Sequence, residues 1–204
     1  MRIRTHANPL SYRVRLDPVD WSDIFSQYDG FYDLEIGFGD GRFLRRYAHK
    51  YPQKRLIGVE VRKAGAAGVA NQVQEESFHN IYVVHSTAQI VLEDIIPDRY
   101  LERVFIFHPD PWLKKSHHKR RVISPLFLEV LAQKMREDGQ LYISTDVSVL
   151  WDDMLRMIDQ SRQFQLGEDL QFWEEDYETR WHTASKIEKR ETFKAVFKLK
   201  KATW

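Results

Sequence analysis

The chain has 204 residues, 43% of them hydrophobic, with a formal net charge of +1 and no cysteine. That length suffices for one domain with a sizeable core, expected here over residues 1–204 with a basic arm at about 1–20. The lack of cysteine excludes disulfides, thiolate chemistry and cysteine-ligated zinc or iron–sulfur clusters. No apolar run approaches the ~18 residues of a membrane span. The opening Met1-Arg2-Ile3-Arg4-Thr5-His6 lacks the apolar centre of a secretion signal. A cytoplasmic protein with no metal and no membrane partner is expected.

In chain order, short apolar runs alternate with amphipathic stretches. Phe31–Ile36 reads as a strand and Gly41–Tyr51 as a helix with Phe43, Leu44, Tyr47 and Ala48 near one face. Arg55–Glu60 reads as a strand, Arg62–Glu76 as an alanine-rich helix, Asn80–His85 and Leu101–Phe107 as strands. Ser124 can cap a helix in which Pro125 suits the first turn; Phe127, Val130, Leu131 and Met135 give its apolar face, and Gly139 is expected to end it. Gln140–Thr145 reads as a strand, Val147–Ser161 as a helix, and Thr192–Lys198 as a late strand. Strands alternating with helices predict an α/β fold, a mainly parallel central sheet with helices on both faces. Ligands on such sheets bind beyond the C-terminal strand ends. Gly37 to Gly41, Glu60, Ser86-Thr87, Asp110 and Asp146 are all expected on that rim.

The loop Glu35-Ile36-Gly37-Phe38-Gly39-Asp40-Gly41 leaves a strand and enters a helix. Its glycines permit a tight turn and close approach of a ligand to the backbone. The spacing G-x-G-x-G departs from the dinucleotide fingerprint G-x-G-x-x-G. With Glu35 just before it, the loop resembles the first motif of S-adenosylmethionine-dependent methyltransferases, although a nicotinamide or other nucleotide site stays open on the loop alone. Glu60 ends the next strand about 20 residues on, where an acid can accept hydrogen bonds from ribose hydroxyls. Asp110 stands between Pro109 and Pro111, which restrict the backbone around it. It is either a turn or capping acid, or an acid facing a reacting methyl. From Lys114 to Arg121 there are five Lys or Arg, two His and no acid. That run suits a small anionic footprint and is otherwise a solvated surface. Asp146 stands before a helix and suits capping and substrate contact equally. Trp112 or Trp181 can stack on a displaced base or serve as core, and His108 reads as structural rather than as a proton shuttle.

Together, Leu34–Gly41, Gly58-Val59-Glu60, Pro109–Lys115 with His118–Arg121, Ser144-Thr145-Asp146 and the stretch Thr179–Phe197 resemble the tRNA (guanine-N7)-methyltransferases. The resemblance runs from about residue 30 to the C-terminus, and its proline-aspartate-proline-tryptophan element with trailing basic residues is highly specific. It implies a Rossmann-like class I methyltransferase fold, S-adenosylmethionine as cofactor, and a tRNA guanosine in the variable loop as target. Glu35, Gly37, Gly39, Gly41, Glu60, Thr87 and Asp110 would contact cofactor, with Asp110 also catalytic. Lys114, Asp146, Thr179 and His182 would contact substrate, and Lys115, Lys119, Arg120 and Arg121 tRNA phosphates. A monomer or homodimer is expected. The chain departs from the family pattern at four places: Thr87 replaces an acid, His182 replaces a glutamate, Lys189 falls near an expected glycine, and His108 replaces a common aromatic before Pro109. The first three keep open a noncatalytic RNA-binding relative; a methyltransferase acting on an exocyclic amine is the other alternative. A nicotinamide oxidoreductase ranks last, for want of a hydride-relay constellation.

Overall fold

Side-chain alternation along the strands divides the apolar residues between two cores, one on each face of a single sheet. The computed structural model describes residues 7–25 and 30–200; Arg2 and Arg4 of the basic arm lie outside them. The elements are α1 (Trp21–Ile24), β1 (Tyr32–Ile36), α2 (Arg42–Lys50), β2 (Arg55–Glu60), α3 (Lys63–Glu75), β3 (Ile81–His85), α4 (Ala88–Asp94), β4 (Leu101–Phe107), α5 (Pro125–Lys134), β5 (Met135–Thr145), α6 (Ser148–Ser161), β6 (Phe164–Leu166), α7 (Arg180–Ile187) and β7 (Phe193–Leu199). The seven strands lie in the order β3-β2-β1-β4-β5-β7-β6. Strands β1 to β5 pair in parallel, and β7 runs antiparallel to both β5 and β6.

Leu34, Ile57, Val104, Ile106, Leu141 and Ile143 face one core, which Trp21, Val91, Leu128, Leu131 and Met154 complete from α1, α4, α5 and α6. Leu56, Phe105, Phe107 and Tyr142 face the other, closed by Phe43 and Leu44 of α2, Val69 and Val73 of α3, and a short π-helical turn at Phe172–Asp176. Strand order reverses between β1 and β4, so the crevice beyond their C-terminal ends is the expected ligand site of such a sheet. This is the mainly parallel α/β sheet that the sequence pattern predicts, in the Rossmann-like form that the resemblance implies.

Several elements differ from the sequence reading, among them α1 and β6, which it does not contain. Helix α5 stops at Lys134 rather than Gly139. Its last free carbonyls, on Gln133 and Lys134, accept the N–H groups of Arg99 and Tyr100 at 2.9 and 2.7 Å. The chain therefore joins the sheet at once: Met135 pairs with Leu101, and the register resumes only at Gln140 opposite Arg103. Helices α4 and α7 went unread. Both open on a threonine whose side chain caps the helix, Thr87 for Ile90 N–H and Thr179 for His182 N–H, and both threonines had been read as ligand contacts.

Gly41 shows how local backbone and tertiary packing coincide. Its φ is +69°, and a Cβ built there would lie 2.7 Å from Val69 Cγ1 of α3. Only glycine lets α2 start so close to α3. Gly41→Ala should cost about 1–3 kcal/mol from overpacking and a left-handed backbone, read as a lowered urea midpoint; an unchanged midpoint would contradict this packing role.

Candidate active site

A cavity of about 620 Å³ opens at the C-terminal strand ends, lined by residues from β1, β2, β4, the loops after them, and the start of α7. Its size falls within the ~300–1,000 Å³ typical of small-molecule sites. One wall is the glycine loop. Gly37 and Gly39 have φ of +77° and +63°, and a Cβ on Gly37 would meet nothing within 4 Å. Their backbone is thus open to a ligand. Gly41 does not line the cavity; its role is the α2–α3 approach described above.

Glu35 lies at the floor. Its carboxylate is 4% exposed, and Oε2 has no hydrogen-bond partner in the structure. Burial raises its pKa well above the carboxylate range, and the negative charges of Asp40 and Glu60 raise it further. A cationic group in the cavity would reverse that balance. Glu60 is held more firmly. Its Oε2 accepts Gly39 N–H at 3.0 Å and Arg62 Nη2 at 3.1 Å, and its Oε1 accepts Arg62 N–H at 2.9 Å and Arg62 Nε at 3.0 Å. Arg62, unmarked in the sequence reading, also lines the cavity, and its own pKa is raised by Glu60 first and by Asp110 and Asp40 as well. Thr87 and Ser86 line the next strand end. The Thr87 hydroxyl oxygen is engaged as the α4 cap at 3.4 Å from Ile90 N.

Asp110 lines the cavity on the side of Pro109 and Trp112. The preceding His108 is buried with φ +47°, and its Nδ1 stands 3.3 Å from Asp146 Oδ1 while its Nε2 stands 2.8 Å from Tyr177 Oη. His108 is therefore a structural anchor beneath the Asp110 loop. Trp112 is 9% exposed, with the Arg120 guanidinium 4.8 Å over its ring.

The basic run divides. Lys115–Arg120 form two turns of 3-10 helix. Lys119 and Arg120 line the cavity mouth, and Lys114 and Lys115 are exposed outside it. Arg121 departs from the phosphate contact expected of it. It is 7% exposed, its Nε donates to Pro111 O at 2.9 Å, and its Nη1 pairs with Asp153 Oδ2 at 2.7 Å. The charge fastens the Asp110 loop to α6 rather than facing solvent.

Two further residues expected at substrate lie elsewhere. The Asp146 side chain is fully buried, with His108 Nδ1 3.3 Å from its Oδ1 and Arg190 paired with its Oδ2, and helix α6 is capped at Val147 without side-chain help. His182 does not line the cavity; its ring packs 4.5 Å from that of Tyr177. Burial, then the charge of Lys186, lowers its pKa to about 4. Thr179, with Arg180 and Trp181, does line the cavity. So do Ala7, Pro9 and Leu10 of the N-terminal arm, tied down by Tyr12 Oη donating to His85 O at 2.8 Å. Nothing in the local sequence pattern marks these three. Among the described residues there is no group of three or more His, Cys, Asp or Glu that could hold a metal, and no helix is long and apolar enough to cross a membrane.

The fold and this cavity define a Rossmann-like α/β protein with a small-molecule site at its C-terminal strand ends. A family model described as "Putative methyltransferase" matches residues 30–199, and the chain belongs to that family. It is similar to the tRNA (guanine-N(7)-)-methyltransferase of Marinobacter nauticus, 37% identical over 146 residues that cover 72% of this chain and 61% of the relative. It is likewise similar to the enzyme of that name from Shewanella amazonensis, 40% identical over 138 residues, 68% of this chain and 58% of the relative. The matched stretch thus spans about three fifths of these curated relatives. Among solved structures, a 16S rRNA methyltransferase, KamB, superposes with a TM-score of 0.64 at 13% identity, over 89% of this chain and 93% of that one. That likeness shows the fold.

The His182 environment gives a pH prediction. The folded side chain takes up its proton only near pH 4, against an ordinary value of 6.5. Stability from keeping it neutral is fully present above pH 6.5 and is lost as pH falls toward 4. His182→Gln should flatten that part of the acid-side decline in stability, and the wild-type ring resonances should titrate near pH 4. Titration near 6.5 in the folded protein would contradict the burial described.

Proposed function

We propose that this protein transfers a methyl group from S-adenosylmethionine to nitrogen-7 of a guanosine in tRNA, in the variable loop, and that it does so in the cytoplasm. The observation that carries the reading is the convergence of the open glycine loop, Glu35, Glu60 and Asp110 on one cavity whose mouth bears Lys119 and Arg120. The relatives' names support the choice of target.

The cavity suits that cofactor better than a dinucleotide. Burial first, then the negative charges of Asp40 and Glu60, raises the Glu35 pKa, and those same two acids beside the glycine loop would repel a pyrophosphate. An ammonium group would instead satisfy the unpartnered Glu35 oxygen. Glu60 already accepts two hydrogen bonds on each oxygen, from Gly39 N–H and from Arg62, so ribose hydroxyls would bind there by displacing the Arg62 side chain. The bound cofactor would supply an electrophilic methyl on a sulfonium. Guanine nitrogen-7 has a free lone pair and no proton, so no residue has to act as a strong base. The work left to the chain is alignment of the base and stabilisation of the positive charge that the purine acquires. Asp110 is the carboxylate suited to the second task. Thr179, Arg180 and Trp181 form the wall available to the base, and Lys119 and Arg120, with Lys114 and Lys115 outside, suit its phosphates.

Two measurements test these roles. Asp110→Asn keeps size and removes charge; single-turnover methyl transfer should fall by on the order of tenfold to a thousandfold with tRNA affinity nearly kept. Wild-type chemistry with poor tRNA affinity would make Asp110 a binding residue instead. Lys119→Ala with Arg120→Ala should weaken tRNA binding and reduce the slope of log affinity against log salt by about 2, with cofactor affinity unchanged. An unaltered slope would mean that these cations contact no phosphate.

A further inference from the structure

One buried carboxylate outside the cavity ties together the segments that form its substrate side. Asp146, one residue beyond β5, has no exposed side-chain area. His108 Nδ1, just beyond β4, stands 3.3 Å from Oδ1; Ser185 Oγ of α7 donates to Oδ2 at 3.2 Å; and Arg190 Nη1, in the turn after α7, pairs with Oδ2. The connection extends through His108 Nε2 to Tyr177 Oη, which donates to Ser144 Oγ of β5 at 2.8 Å. Asp146 thus joins the strand end that leads to Asp110 and the helix that begins at Thr179.

Arg190 supplies the full opposite charge that is not part of this strand-end cluster. It is also placed by local geometry. Its N–H donates to Ser185 O at 2.8 Å, closing the end of α7, and Lys189 just before it has φ +52°. A lysine in the left-handed region is strained where glycine would not be, and such strain persists when surrounding contacts fix the backbone. The ion pair to Asp146 is such a contact.

We propose that Arg190 is a positioning residue: by neutralising Asp146 it locks α7 onto the ends of β4 and β5, and so fixes Thr179, Arg180 and Trp181 as the wall against which the substrate base is aligned. The effect on substrate rests on the tRNA reading above; the lock does not. Asp146 is wholly buried and Arg190 half-buried, so removing Arg190 leaves a buried carboxylate uncompensated, which is more disruptive than losing the contact alone.

The test compares wild type, Arg190→Ala, Arg190→Lys, Asp146→Asn and the Asp146→Asn/Arg190→Ala double variant by two readouts. The first is amide hydrogen exchange over residues 183–188, which needs no substrate. The second is steady-state methyl transfer to bulk tRNA together with calorimetric cofactor affinity. Arg190→Ala should speed exchange in α7 by about tenfold or more and raise KM for tRNA by a similar factor. Cofactor affinity should stay within about twofold, and Arg190→Lys should recover most of both losses. The double variant should be no worse than the worse single one, as expected of partners in one interaction. Unchanged α7 exchange in Arg190→Ala would overturn the proposal. So would an Asp146→Asn variant with raised KM but wild-type α7 exchange, because Asp146 would then touch substrate directly. If Asp146→Asn does not fold, the Arg190→Ala and Arg190→Lys pair decides. If the wild type methylates no tRNA, the functional reading fails while the exchange result still judges the lock.

Discussion

The site depends on an almost wholly buried carboxyl group in the wall of its cavity. Glu35 ends β1 under the glycine loop, almost wholly buried, with one oxygen lacking a partner. An ionised carboxylate in such a place, without a compensating charge, costs several kcal/mol. The raised pKa avoids that cost by favouring the neutral form, and the position itself is fixed because β1 is central in the sheet, flanked by β2 and β4, with core residues on either side of Glu35 along the strand. A cation entering the cavity would turn the unfavourable burial into a strong, directional contact. The neighbouring acids Asp40 and Glu60 reinforce this selectivity for positive over negative charge.

From that floor the electrostatics change sign toward solvent. The glycine-loop end of the cavity is acidic, with Arg62 bound across Glu60, and the mouth is basic at Lys119 and Arg120. Such a gradient keeps a small cationic ligand and a large anionic one at opposite ends of one opening. Two arginines, Arg121 buried and Arg190 half-buried, hold the frame in which this happens. Arg121 fastens the Asp110 loop to α6 through Asp153, and Arg190 fastens α7 to the strand ends through Asp146. Each takes a charge that sequence alone would assign to the surface or to substrate and uses it inside the protein.

The parallel sheet, the glycine loop and the strand-end acids were legible because their signals are local. Apolar runs of period two, glycines at fixed spacing and an acid at a strand terminus need no knowledge of distant partners. The residues that moved are those whose environment is tertiary. Arg121 reads as part of a basic run until its partner Asp153, 32 residues on, comes into contact. Asp146 reads as a helix cap until Arg190 and Ser185 return to it from α7. Thr87 and Thr179 fall at the cavity because they start helices there, so capping and lining coincide. The end of α5 was misread because two amides before β4, on Arg99 and Tyr100, terminate it rather than the glycine downstream.

The central claim is that this cavity directs a methyl group to guanine nitrogen-7 of tRNA. The most direct measurement incubates the protein with S-adenosylmethionine labelled in the methyl group and bulk unmodified tRNA, then identifies the labelled nucleoside after digestion. The account predicts label in 7-methylguanosine, at a position that becomes sensitive to reductive strand cleavage. Label in a nucleoside methylated on an exocyclic amine, or cofactor and tRNA binding without any transfer, would contradict it.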